Sequence, residues 1–247
     1  MKKNALFLLL SCGCASWFLM ECSLLSAQTP VQVTIDAASA SKPVSPNIYG
    51  KNNCLSDNPA SPLSLSQWQF LRDVGIKMFR ESGGNNSTKY NWRKKLTSHP
   101  DWYNNVYKHD WDYAAGTLLA NLPRATGMWT LPLIGKAAAN TSNNFTDWSY
   151  NNSKWWEGVN QNLAGGGTAN TAGGSKALKE GNPALYTQDW PPDSVVGILN
   201  KWFGTGGLGY DKNRLPYWSM DNEPEIWSGT HDDVMPVQMP ADTFMQR

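Results

Sequence analysis

The chain has 247 residues with 21 basic and 20 acidic side chains, so neither nucleic acid nor an anionic membrane surface is an expected partner. Its cysteines stand at Cys12, Cys14, Cys22 and Cys54, and the first three fall in an N-terminal stretch laid out like a leader. Cys54 is then left alone, which excludes a disulfide framework and a cysteine-rich metal site in the mature chain.

Lys2 and Lys3 precede an apolar run from Ala5 to Met20, and small residues follow around Ser26-Ala27-Gln28. This is the order of a secretory signal peptide over residues 1–27, and the run is shorter than the roughly 18–20 residues that span a bilayer. Cys12, after Leu9-Leu10-Ser11, also offers a lipoprotein reading, with a very short apolar stretch ahead of it. Cleavage removes Lys2, Lys3 and Glu21, leaves 19 charges of each sign, and predicts a secreted protein, extracellular or periplasmic and free of the membrane. Twelve of the 13 tryptophans follow the leader, among few charges and many Asn, Gly and Ser. That composition suits a surface that binds uncharged polar ligands such as carbohydrate, although the same rings are ordinary core material.

In chain order, "VQVTIDA" (31–37) alternates apolar and polar residues as a half-exposed strand does, within a segment 28–41. "KPVSPNIYG" (42–50) has two prolines that set extended geometry and predicts a short strand at Asn47–Gly50. In "LSQWQFLRDVG" (65–75), Trp68, Leu71 and Val74 recur at helical spacing, Ser64 or Ser66 caps the start and Gly75 ends it. "IKMFRES" (76–82) is a strand that runs into a glycine pair. A helix is predicted over 110–127, with Tyr113, Gly116, Thr117 and Ala120 on one face, and a strand over 128–135. Residues 136–191 form a long Gly/Asn/Ser/Trp-rich insertion, of a length that is usually functional or mobile. Its Trp148, Trp155 and Trp156 are candidates for stacking on sugar rings or for pinning the loop. A helix at 192–204 opened by Pro192 or Asp193, a strand at 217–224 and a helix begun at 239–247 with Pro240 at its first position complete the series.

Strand and helix alternate four times from Ile48, which predicts a parallel sheet, and the short apolar strands fit burial on both faces. No Gly-x-Gly-x-x-Gly or phosphate loop follows the first strand, as a doubly wound nucleotide-binding sheet would require. The expected fold class is α/β, the first half (about four βα units) of a TIM-like eight-stranded barrel over residues 42–247. The last helix is cut off in mid-course, so the chain reads as a fragment.

Loops at the C-terminal ends of barrel strands build the active site. Here these are "RESGGNNSTKYNW" (80–92) and "DNEP" (221–224). Glu223 stands where a side chain projects into the barrel mouth, Pro224 stops the ladder, and Asn222 can donate an amide hydrogen bond to a substrate hydroxyl. Glycoside cleavage needs two carboxyl groups, one protonated for the leaving oxygen and one ionised as nucleophile or base. Asp221 and Glu225 flank Glu223 on the opposite face and are poor partners for it, Glu81 and Asp57 have no assigned place opposite it, and no second carboxylate is evident. Taken alone, Asn-Glu-Pro could equally cap a neighbouring helix or hold an arginine. His99, His109 and His231 lack metal-ligand spacing, so surface or capping roles and no metal site are expected.

"FRESGGNNSTKYNW" (79–92), "MWTLPLIG" (128–135) and "YWSMDNEPEIWSGTHDDVMP" (217–236) together resemble glycoside hydrolase family 44, secreted endoglucanases and xyloglucanases. The resemblance runs from about Val31 to the last residue, with the blocks in the right order and separation. It implies a TIM-like barrel joined to a β-sandwich domain, to which the strand near Val31–Ala37 would belong. It also implies hydrolysis of internal β-1,4 bonds in cellulose-type glucans or xyloglucan by a retaining mechanism, with Glu223 as acid/base. Asn222 orients the substrate beside it, and Asn85, Asn86, Trp92 and Trp227 are the expected substrate-binding residues. The implied nucleophile is a glutamate on a seventh strand, which has no counterpart in this chain. No cofactor is expected beyond a structural calcium ion that the resemblance allows, for which no acidic cluster marks a site. A monomer acting on a β-glucan polysaccharide is expected. The alternative is a non-catalytic glucan-binding protein or an inactive fragment without its nucleophile.

Overall fold

The computed structural model describes residues 32–36, 42–81, 83–98, 106–107, 109–140, 164–168, 170, 172 and 177–246. The leader, His99, Trp148, Trp155 and Trp156 lie outside them. The chain divides into two units, Met1–Pro43 and Val44–Arg247. In the first, residues 32–36 are exposed and in no strand, so the strand expected at 31–37 finds no partner among the described residues. Alternation yields a strand only where a second edge completes the ladder.

The second unit runs β1 (Gly50–Asn52), α1 (Leu65–Asp73), β2 (Met78–Arg80), α2 (Asn85–Thr88), β3 (Thr97–Ser98), β4 (Val106–Tyr107), α3 (Trp111–Asn121), β5 (Thr126–Leu131) and β6 (Lys136–Ala138). It continues with β7 (Thr187–Asp189), α4 (Pro192–Phe203), β8 (Tyr217–Met220), α5 (Trp227–Thr230) and α6 (Ala241–Phe244). Strands β1, β2, β5 and β8 form one sheet in that order, and every pairing is parallel. Asn47, ahead of β1, donates to the Tyr217 hydroxyl at the start of β8 (3.0 Å). At the other end Arg80 of β2 donates to both Asn52 and Asn222, at 3.0 and 3.3 Å. The contacts to Tyr217 and Asn222 skip intervening strands of the sheet, and the architecture is that of four successive βα units of a TIM-like barrel.

Local chemistry sets the element limits. The Gln67 backbone N–H donates to Ser64 Oγ, and the Gln67 side chain accepts from the Ser64 N–H. This capping box selects Ser64 over Ser66 as the cap of α1. Asp110 caps α3 through the Tyr113 N–H, and the helix ends before Pro123, well short of 127, because proline disfavours helical geometry in the residue ahead of it. The face that α3 buries is Trp111, Ala114, Ala115 and Leu118, at i, i+3, i+4 and i+7; Tyr113, Gly116, Thr117 and Ala120 lie on the outer side. β1 falls later than the predicted 47–50 because Ser45 and Pro46 open a 3-10 turn over Pro46–Ile48. Two antiparallel pairs, β3 with β4 and β6 with β7, are additions to the predicted pattern, and β6–β7 closes the base of the insertion.

Six of the eight described tryptophans are buried: Trp68, Trp111, Trp129, Trp190, Trp202 and Trp227. Trp202 of α4 meets Trp129 of β5 edge-on at 5.3 Å and also packs on Tyr210 and Trp218, while its Nε1 donates to Asp112. Each such ring removes on the order of 200 Å² from water, a gross contribution of about 5 kcal/mol. The tryptophan surplus among the described residues is therefore mainly core between sheet and helices.

Candidate active site

All four strand-end loops meet at the C-terminal edge of the sheet. β8 ends at Met220, and the chain turns through Asp221 (φ +63°) and Glu223 (φ +43°), both left-handed without being glycine. Such residues each cost about 1–3 kcal/mol unless neighbours hold them. Pro224 then starts a 3-10 turn, which prevents β8 from continuing. Glu223 is exposed at the top of this turn.

Asn222 connects the turn to the loop after β2. Its Nδ2 donates to Asn85 Oδ1 (3.0 Å) and to Glu223 Oε2 (3.2 Å), and its Oδ1 accepts from Arg80. The glycine pair ahead of α2 serves this contact. A Cβ at Gly83 would fall within 2.4 Å of three atoms of the Arg80 guanidinium, and Gly84 has φ +79°. Glu223, Asn222 and Asn85 therefore form one hydrogen-bonded group.

Asp221 turns away from that group and inward. Its carboxylate accepts from Thr88 Oγ1 (2.7 Å), the Asn222 N–H (2.8 Å) and the Leu133 N–H (2.5 Å). Burial pushes its pKa up to about 6 while these hydrogen bonds pull it down. Glu81, one residue past β2, is also buried. Its Oε1 accepts from the backbone N–H groups of Cys54 and Leu55, each at 3.1 Å, which fixes the loop after β1. Burial raises the Glu81 pKa to about 7 and that of the neighbouring Cys54 thiol to about 12.

A cleft of about 220 Å³ opens between the loops after β1 and β2, lined among others by Asn53, Asp57, Glu81, Asn86 and His109. Asn86 Oδ1 is buried without a hydrogen-bond partner. Burial drives the His109 pKa down to about 3, so a neutral ring pairs through Nδ1 with the Asp57 carboxylate. Among the described residues no group of three His, Cys, Asp or Glu could hold a metal ion, and the calcium expectation finds no such cluster there.

Two expected binding residues sit elsewhere. Trp227 is fully buried; its Nε1 donates to the Asn222 carbonyl and its ring meets Phe244 at 5.7 Å, so it supports the turn from beneath and offers no face to a sugar. Trp92 donates from Nε1 to the Ser194 carbonyl of α4, and its ring lies under the Arg93 guanidinium, outside the lining of the cleft. His231, expected in a surface or capping role, is fully buried and caps the C-terminus of α5, its backbone N–H donating to the Trp227 carbonyl. Arg80 and Thr88 escaped sequence reasoning, and Asp221 was weighed there only as a poor partner for Glu223. The available signal was an acidic residue directly after an apolar strand, followed by a proline three residues on.

The chain is a member of glycoside hydrolase family 44, whose sequence model matches residues 95–247. Among solved structures, CelM2, a bifunctional glucanase-xylanase from a metagenome library, is 26% identical with a TM-score of 0.56, over 82% of this chain and 38% of that one. Cel44A, a family 44 endoglucanase from Clostridium thermocellum, is 18% identical with a TM-score of 0.46, over 83% of this chain and 37% of that one. A Paenibacillus polymyxa xyloglucanase of the family is 20% identical with a TM-score of 0.46, over 82% and 36%. This chain thus spans somewhat over a third of the length of these relatives. A search of curated proteins gave no match.

Proposed function

We propose that the protein takes part in hydrolysis of internal β-1,4 bonds in glucan chains, cellulose-type or xyloglucan, by a retaining mechanism in which Glu223 is the acid/base. The observation that carries this reading is the exposed Glu223 carboxyl at the end of the fourth parallel strand, bonded to Asn222, in a chain of family 44. In the first step a nucleophilic carboxylate attacks the anomeric carbon while Glu223 gives its proton to the departing glycosidic oxygen. In the second, ionised Glu223 takes a proton from the water that cleaves the glycosyl-enzyme, and the cycle closes. The nucleophile belongs to the seventh strand of the resemblance, about 5–5.5 Å from the acid in a retaining pair.

Asn222 orients Glu223 and is itself held by Asn85, while Asn86 lines the adjoining cleft. The names of CelM2 and the Paenibacillus enzyme support a polymeric β-glycan substrate. Such a polymer is met outside the cell, in keeping with a leader over residues 1–27, and among the described residues no helix is long and apolar enough to cross a membrane. We further infer a β-sandwich contribution from residues 28–41 and a monomeric enzyme.

The experiment is Glu223→Gln in the complete protein, assayed by reducing-sugar release from xyloglucan and carboxymethylcellulose. Nearly complete loss of turnover with retained glucan binding is expected; near-normal turnover would sink the assignment.

A further inference from the structure

The donors around Asp221 come from three segments: Thr88 ends α2, Leu133 follows β5, and Asn222 belongs to the turn itself. Among the described residues, hydrogen-bond donors hold this carboxylate and no cation is among them. Lys89, next to Thr88, pairs with Asp233; Arg80 of β2 donates to Asn52 and Asn222; the loop after β5 presents only the amides of Leu133 and Ile134; and Glu223 is exposed and accepts from Asn222. A carboxylate that merely ended a strand would face water. This one is buried among hydrogen-bond donors, at the first residue of a turn whose backbone is left-handed at two positions.

We propose that Asp221 is the positioning residue of the acid/base turn: its carboxylate clamps α2 and the loop after β5 to that turn and so fixes where Asn222 and Glu223 stand over the barrel mouth. The inference rests on the reading of Glu223 as acid/base. A proton on Asp221 converts an acceptor into a donor that faces other donors, so the clamp loosens on the acid side, near its pKa of about 6. Asp221 touches no substrate; it acts through its neighbours.

The test compares Asp221→Asn, Thr88→Val and Glu223→Gln in the complete protein. Each is assayed on xyloglucan and on an aryl cello-oligoside with a nitrophenol leaving group, whose departure needs little acid assistance. Misplacement on the order of 1 Å can cost about 100-fold. D221N should therefore lose about 10- to 100-fold in kcat on xyloglucan, keep KM within about threefold, and lose far less on the aryl substrate. T88V removes a donor that favours the ionised form, so its acid limb should move to higher pH.

Equal losses of D221N on both substrates, or wild-type turnover on both, overturn the proposal. If E223Q still turns over xyloglucan, the acid/base reading fails and the positioning role with it. If E223Q is inactive while D221N is unaffected, only the positioning role fails. Should D221N not fold, T88V decides alone: an acid limb that stays in place overturns the proposal.

Discussion

Lys89 and Asp233 are 144 residues apart in sequence and form an ion pair of 2.6 Å, with side chains 0% and 1% exposed. The Tyr186 hydroxyl donates to the same Asp233 oxygen at 2.7 Å. The loop after β2, the end of the insertion and the segment after α5 are thereby joined at one carboxylate beneath the candidate site. The same short stretch, Asn85 to Lys89, also holds Asn222 through Asn85 and Asp221 through Thr88, so α2 grips the β8 loop with two side chains while Lys89, just past it, holds the segment after α5.

Removing one partner of that pair strands the other as a buried charge. Lys89→Met should destabilise the protein by about 3–5 kcal/mol. A companion Lys89→Met/Asp233→Leu double variant should recover a large part of this, because both charges are then gone. Urea unfolding of the two variants measures it, and equal losses would contradict the pairing.

Glu81 makes stability depend on pH in a defined direction. Its folded pKa of about 7 lies above the ordinary 4.5, so the folded state holds the proton more tightly. Stability contributed by the protonated form is complete below about pH 4.5 and is lost as pH rises to about 7, up to about 3 kcal/mol. Glu81→Gln keeps an acceptor for the Cys54 and Leu55 amides and removes the charge. Its melting temperature should exceed that of wild type at pH 8 and match it at pH 5; the reverse order would refute the burial argument.

Trp227→Ala tests whether this residue supports the turn or binds the ligand. Loss of a fully buried indole costs about 3–5 kcal/mol. Denaturant unfolding should show that loss, whereas titration of the folded protein with a cello-oligosaccharide should show affinity changed by less than about threefold, far from the loss expected when a central aromatic anchor is removed. An unchanged unfolding midpoint with abolished binding would return Trp227 to the cleft.

The βα alternation was legible because it depends on local signals. Ser64 and Gln67 mark the start of α1, Pro192 the start of α4, and the apolar runs at 76–82, 128–135 and 217–224 contain β2, most of β5 and all of β8. The short pairs β3–β4 and β6–β7 were illegible, since strands of two or three residues carry no periodicity and depend on the partner across the ladder. At the site, Asn222 and Glu223 were readable from position at a strand end and Asn85 from the family resemblance, and the three converge. Trp92 and Trp227 were not, because an aromatic residue in a polar loop looks the same in sequence whether its ring faces ligand or core.

By itself, the sequence determined the four βα units, their order and the strand ends that carry chemistry, because caps, prolines and apolar spacing act over a few residues. Tertiary structure decided the remainder. Asp221 became a buried acceptor when Thr88 and Leu133 were brought to it from 133 and 88 residues away. Glu81 came to hold the β1 loop, and Lys89 found Asp233. Burial and long-range hydrogen bonds depend on which loops share an edge of the sheet, and that is fixed only when the strands pair.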